Sequence, residues 1–75
     1  MKSFNVKISS ISDVKNFVNI VSKYDFDIDL ISDRYVVDAK SIMGIFSLDL
    51  TKPIEVQVHT DDADAIGAEL APYLA

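Results

Sequence analysis

Phe4, Val6 and Ile8 alternate with Asn5, Lys7 and Ser9, the period of a strand with one buried face. From Ser10 the period lengthens. Ile11, Val14, Phe17, Val18 and Val21 fall at helical spacing with Asp13, Lys15, Asn16 and Asn19 on the other side, predicting an amphipathic helix to about Lys23. Its start carries Ser10, Ser12 and Asp13, and the Ser10-x-x-Asp13 spacing supplies oxygens to the first free backbone N–H groups. Next, Phe26, Ile28 and Leu30 alternate with Asp25, Asp27 and Asp29. After the polar Ser32-Asp33-Arg34, Tyr35, Val37 and Ala39 alternate again, so the two stretches predict an antiparallel hairpin.

Ser41 is placed to cap a short helix over about Ile42 to Leu48, and Pro53 stops any helical continuation. Ile54, Val56 and Val58 alternate with Glu55, Gln57 and His59, a fourth strand with one wet face. Asp61 and Asp62 are expected to cap a last helix that turns Ala63, Ile66, Leu70 and Tyr73 inward, with Gly67 and Pro72 weakening it. The order β-α-β-β-α-β-α predicts an α+β open-faced sandwich: a four-stranded antiparallel sheet with three helices on one face.

Composition narrows the functional classes. At 75 residues and 49% apolar content, the chain suits a single domain over residues 1–75. Seven Lys and Arg against twelve Asp and Glu give a net charge of −5 with no basic cluster, so the counterion-release term that drives nucleic-acid binding is missing. No cysteine is present, which removes disulfides and thiolate metal sites and fits a reducing compartment. The N-terminus, MKSFNVKISS, alternates and does not follow a basic segment with an apolar run, and no apolar run approaches the roughly 20 residues of a membrane span. The expectation is a cytoplasmic protein that inserts into no membrane.

Two stretches carry a family likeness: Ser22-Lys23-Tyr24-Asp25 at the end of the first helix, and Lys40-Ser41-Ile42-Met43-Gly44 within Val37 to Leu48. They resemble the HPr phosphocarrier family of the bacterial sugar phosphotransferase system, which shares this element order, and the spacing between them needs no insertion. In that family a Gly-Ile-His-Ala-Arg-Pro segment lies between strand one and helix one, and its histidine takes phosphate from Enzyme I and passes it to sugar permease components. Here that place reads Ser9-Ser10-Ile11-Ser12-Asp13. Counting back from Ser22 puts Ser10 at the histidine, Ser12 at the arginine and Asp13 at the proline; counting forward from strand one leaves the loop short. Neither count restores an imidazole nucleophile, and Asp13 adds negative charge where a phosphoryl group needs a cation.

The resemblance makes Ser41 the match of the serine modified by HPr kinase/phosphorylase, and it makes Ile42, Met43 and Phe46 the docking surface, with Ile45 and Leu48 in the core. Each has a plainer alternative. Ser41 as a helix cap alone would contribute about 1 kcal/mol, and Phe46 could fold over the sheet edge or enter a dimer contact. His59, the only histidine, falls on the polar phase of strand four and reads as a solvated strand-end residue. Asp25, Asp27 and Asp29 read as a solvated face, and Asp61, Asp62 and Asp64 as helix-start carboxylates, so no metal site and no cofactor are expected.

The expected function is a non-catalytic regulatory or adaptor protein without histidine phosphocarrier activity, similar to catabolite-repression paralogues of HPr and switched at Ser41. The resemblance implies an HPr kinase/phosphorylase-like enzyme as partner, and a transcriptional regulator of carbon use or phosphotransferase components. Two rivals stay open: a divergent phosphocarrier using Ser10, Ser12 or His59, and a purely structural HPr-like interaction domain. The oligomeric state is left open.

Overall fold

A computed structural model describes residues 2–75. The elements are β1 (Lys2–Val6), α1 (Ile11–Val21), β2 (Ile28–Ser32), β3 (Tyr35–Asp38), α2 (Ile42–Phe46), β4 (Ile54–Val58) and α3 (Asp64–Leu70), followed by a 3₁₀ turn at Ala71–Tyr73. All strands lie antiparallel in one sheet of order β1-β4-β2-β3. The four-stranded antiparallel sheet and three α-helices agree with the expected α+β sandwich.

The alternation explains the layers. Val6, Ile28, Leu30, Ile54, Val56 and Val58 point to the helical side and are buried, and they meet Val14, Phe17 and Val21 of α1, Ile45 of α2, and Ile66 and Leu70 of α3 in one core. Each such side chain taken fully out of water stabilises the fold by about 1.5–3 kcal/mol. Phe17 is the largest of them, and its ring meets Tyr73 edge to face with centroids 6.5 Å apart. On the other side of the sheet, Asn5, Glu55, Ile31 and Val36 form one row across the strands, and Ser3, Gln57, Asp29 and Asp38 the next.

Several boundaries differ from the sequence reading for local reasons. β2 begins at Ile28, so Asp25 and Phe26 belong to the approach from α1. The Lys40 ammonium holds that approach, donating to Tyr24 O at 2.6 Å and Phe26 O at 3.0 Å. Ser32 is a buried strand residue, leaving Asp33 and Arg34 as the two-residue turn. Asp33 takes the left-handed conformation (φ 55°), which a short polar side chain tolerates. α2 stops at Phe46, with Leu48 buried just beyond it.

The last helix is not capped by Asp61 or Asp62. Its cap is Ala63, which offers no side-chain bond, and Asp62 Oδ1 instead accepts the Asp64 N–H at 3.2 Å. Gly67 lies beneath the Phe4 ring: a Cβ there would come within 3.2 Å of Phe4 Cζ, so the glycine admits close packing of β1 on α3.

Candidate functional site

The Lys40-Ser41-Ile42-Met43-Gly44 run forms the corner between β3 and α2. Ser41 has an extended backbone; its N–H donates to Asp38 O at 3.0 Å and its Oγ accepts the Gly44 N–H at 3.2 Å, satisfying one donor of the α2 start. Gly44 sits where space is tight. A Cβ would stand 3.2 Å from Val37 Cβ and 3.3 Å from Ser41 Oγ, so a larger residue would press these neighbours apart by a few tenths of an ångström. Ile45 is fully buried and fixes the roll of α2, which turns Met43 (76% exposed) and Phe46 (43% exposed) to solvent. Ile42 is divided, half-buried and packed against the core. The result is a half-buried hydroxyl at the base of a short helix that presents apolar side chains, Met43 among them, a soft and adaptable contact.

Ser10 caps α1 as its spacing predicts. Its Oγ accepts the Asp13 N–H at 3.1 Å, while Asp13 Oδ2 accepts the N–H and the hydroxyl of Ser9, each at 3.3 Å. The carboxylate thus sits within the first turn of α1, favoured by the helix dipole. Ile11 departs from the helical reading: at the first position of α1 it is 65% exposed, since the turn that would cover it has not yet formed. Nothing in its spacing distinguishes it from Val14.

His59 follows β4 at the end of the sheet away from α1's start. β1 leads into that start from Val6, which pairs with Ile54, while Val58 pairs with Lys2. Five residues of extended chain separate Ile54 from His59, about 17 Å. Its Nε2 lies 2.8 Å from Asp29 Oδ2 at the surface. Asp27, Ile28, Asp29, Asp38 and His59 line a shallow open cleft of about 360 Å³. Asp29 and His59 meet because β2 and β4 are neighbours, a long-range fact absent from local spacing. Among the described residues, no three His, Cys, Asp or Glu side chains are grouped to hold a metal ion.

A polar clamp joins the end of α1 to α3. Glu69 accepts from Lys23 Nζ at 2.6 Å and from Tyr24 Oη at 2.9 Å. The Lys23 hydrogen bond, with that of Tyr24, holds the Glu69 carboxyl below its ordinary range; the same bond raises Lys23, while burial chiefly raises the Tyr24 phenol. Because Glu69 is depressed in the fold, its contribution is complete well above 4.5 and is lost as pH falls through the folded value. Glu69→Gln is therefore expected to lower the melting temperature at neutral pH and to flatten its decline below pH 4.5, as read by circular dichroism across an acid series. The clamp is largely exposed, so the effect is small. Parallel wild-type and variant curves would contradict it.

Comparison with known proteins agrees with this architecture. Residues 13–74 match the family model described as the PTS HPr component phosphorylation site, a stretch that begins after Ser10. The fold is similar to the crystal structure of HPr-C-His from Thermoanaerobacter tengcongensis (26% identity, TM-score 0.75, covering 93% of this chain and 85% of that one). It is also similar to the phosphocarrier protein HPr from Bacillus anthracis str. Ames (28% identity, TM-score 0.75, covering 99% and 96%). With most of its length matched, this chain belongs to the HPr family of the phosphotransferase system.

Proposed function

We propose that this chain is a regulatory or adaptor member of the HPr family that carries no phosphate on histidine, is switched by phosphorylation of Ser41, and docks through Ile42, Met43 and Phe46. One observation carries the reading: the Ser41 hydroxyl stands at the foot of a helix whose buried Ile45 leaves Met43 and Phe46 outward. A phosphate there adds about −1.5 to −2 charges beside an apolar patch. On a chain already at −5, that repels acidic partners and favours an arginine-bearing one.

The proposed absence of a relay rests on the start of α1 and on where His59 stands. The start of α1 offers Ser10 and Asp13, neither able to serve as an imidazole donor, and His59 lies about 17 Å along β4 from the strand ends that lead there. The partners proposed with it are an HPr kinase/phosphorylase-like enzyme, and a transcriptional regulator of carbon use or phosphotransferase components, all met in the cytoplasm. No described helix is long and apolar enough to cross a membrane.

Incubation with Enzyme I and labelled phosphoenolpyruvate tests the missing relay. The chain is expected to take up no acid-labile label while an ordinary HPr in the same reaction does. Acid-labile label that disappears in His59→Ala would show a divergent phosphocarrier instead.

A further inference from the structure

The two edges of the sheet are finished differently. β1 carries Lys2, and its outer backbone is paired with the C-terminal segment: Val6 bridges Leu74, the Lys7 N–H donates to Tyr73 O at 2.7 Å, and the Ala75 N–H donates to Asn5 O at 2.8 Å. β3, the opposite edge, has no such strand-like cover among the described residues, where only its Asp38 carbonyl is taken, by the Ser41 N–H. It contains no Lys or Pro between Tyr35 and Asp38, keeps an unbroken register with β2, and exposes Tyr35 (63%) and Val36 (61%). Those are the features that native edge strands avoid when they are to stay unpaired.

The hairpin geometry fixes which backbone groups are available. A two-residue turn makes Ser32–Tyr35 and Leu30–Val37 the hydrogen-bonded pairs, so the N–H and C=O of Val36 and the N–H of Asp38 point away from β2. We propose that β3 pairs antiparallel with β3 of a second copy of this chain, about a two-fold axis at Val36. In this register Val36 faces Val36, Tyr35 faces Val37, and Arg34 faces Asp38 twice by symmetry.

The charges select both the occupant and the register. Arg34 is exposed and makes no ion pair among the described residues. Asp38 engages only Oδ1, on the Lys40 N–H at 2.9 Å, which leaves Oδ2 to face Arg34 of the second copy. Val36 and Asp38 share the sheet face turned away from the helices, where Val36 lies beside Ile31, and Arg34 stands exposed in the turn that precedes β3. The join therefore builds a continuous apolar row, Ile31–Val36–Val36–Ile31, flanked by two Arg–Asp pairs. A four-residue strand buries well under the roughly 1,000 Å² of a stable interface, so association is weak and reversible.

Sedimentation velocity and backbone amide shifts of the full chain, followed up to about 1 mM, test this. The average mass is expected to rise with concentration, with the Val36 and Asp38 amides moving most. Arg34→Asp and Asp38→Arg should each weaken association about tenfold by setting like charges face to face, and the double variant should restore it. Circular dichroism confirms that each variant is folded before it is scored. A wild-type chain that stays monomeric at the highest concentration, a double variant as weak as the singles, or association lost in Met43→Gln but kept in Arg34→Asp would each overturn the proposal.

Discussion

Phe17→Ala is expected to remove about 3–5 kcal/mol of stability, the largest effect of any single truncation proposed for this chain. Phe17 is fully buried on α1, between the sheet and the turn that carries Tyr73. Its loss leaves a cavity that the packed β-branched neighbours Val14 and Val21 cannot fill by changing rotamer. Small domains hold a total of about 5–15 kcal/mol, so the variant loses a large share of its stability. Urea denaturation reads this directly as a lower midpoint at unchanged slope. A loss below about 1 kcal/mol would mean that Phe17 is not where the core closes.

The positions that sequence periodicity located are those whose neighbours are local. Val14, Phe17 and Val21 share one helix face, and Ile28, Leu30, Ile54, Val56 and Val58 share one sheet face, because 3.6- and 2-residue periods leave a regular mark. Ser10 and Ser41 were legible as caps since a cap oxygen and the backbone N–H that donates to it lie three residues apart. What escaped were contacts between distant segments. The Lys40 ammonium ties down Tyr24 and Phe26 and so delays β2 to Ile28; Asp29 meets His59 across thirty positions; Glu69 closes a clamp on Lys23 and Tyr24. Asp62 looked like a cap but bonds one turn position too early, and Ile11 carries the right residue type at a helix position that has no cover. For the candidate site, the burial of Ile45 and exposure of Met43 and Phe46 were anticipated, while the half-burial of Ile42 was not distinguishable from them by type.

Phosphorylation of Ser41, as proposed, is expected to carry the second large effect, this time on binding. The unmodified hydroxyl accepts the Gly44 N–H, and Ser41→Ala forfeits that cap for about 1 kcal/mol, leaving the fold intact. Stability and switching are therefore separable. Ser41→Ala should fold, melt a few degrees lower, and respond to no kinase. A phosphate on the wild-type serine adds charge beside Met43 and Phe46 and is expected to shift the affinity of a docking partner at least tenfold, in whichever direction the partner's own charge dictates. Met43→Gln should weaken docking in both states without touching the modification, since Met43 contributes to the surface and not to the core. A Ser41→Ala chain that binds every partner as the phosphorylated wild type does would reduce Ser41 to a cap.

The most direct test is intact-mass analysis of the folded chain after incubation with ATP and an HPr kinase/phosphorylase, with Ser41→Ala alongside. The regulatory account predicts one added phosphate on the wild type and none on the variant. An unmodified wild-type mass, in a reaction where an ordinary HPr is fully converted, would contradict the switch and leave α2 as a docking or structural element alone.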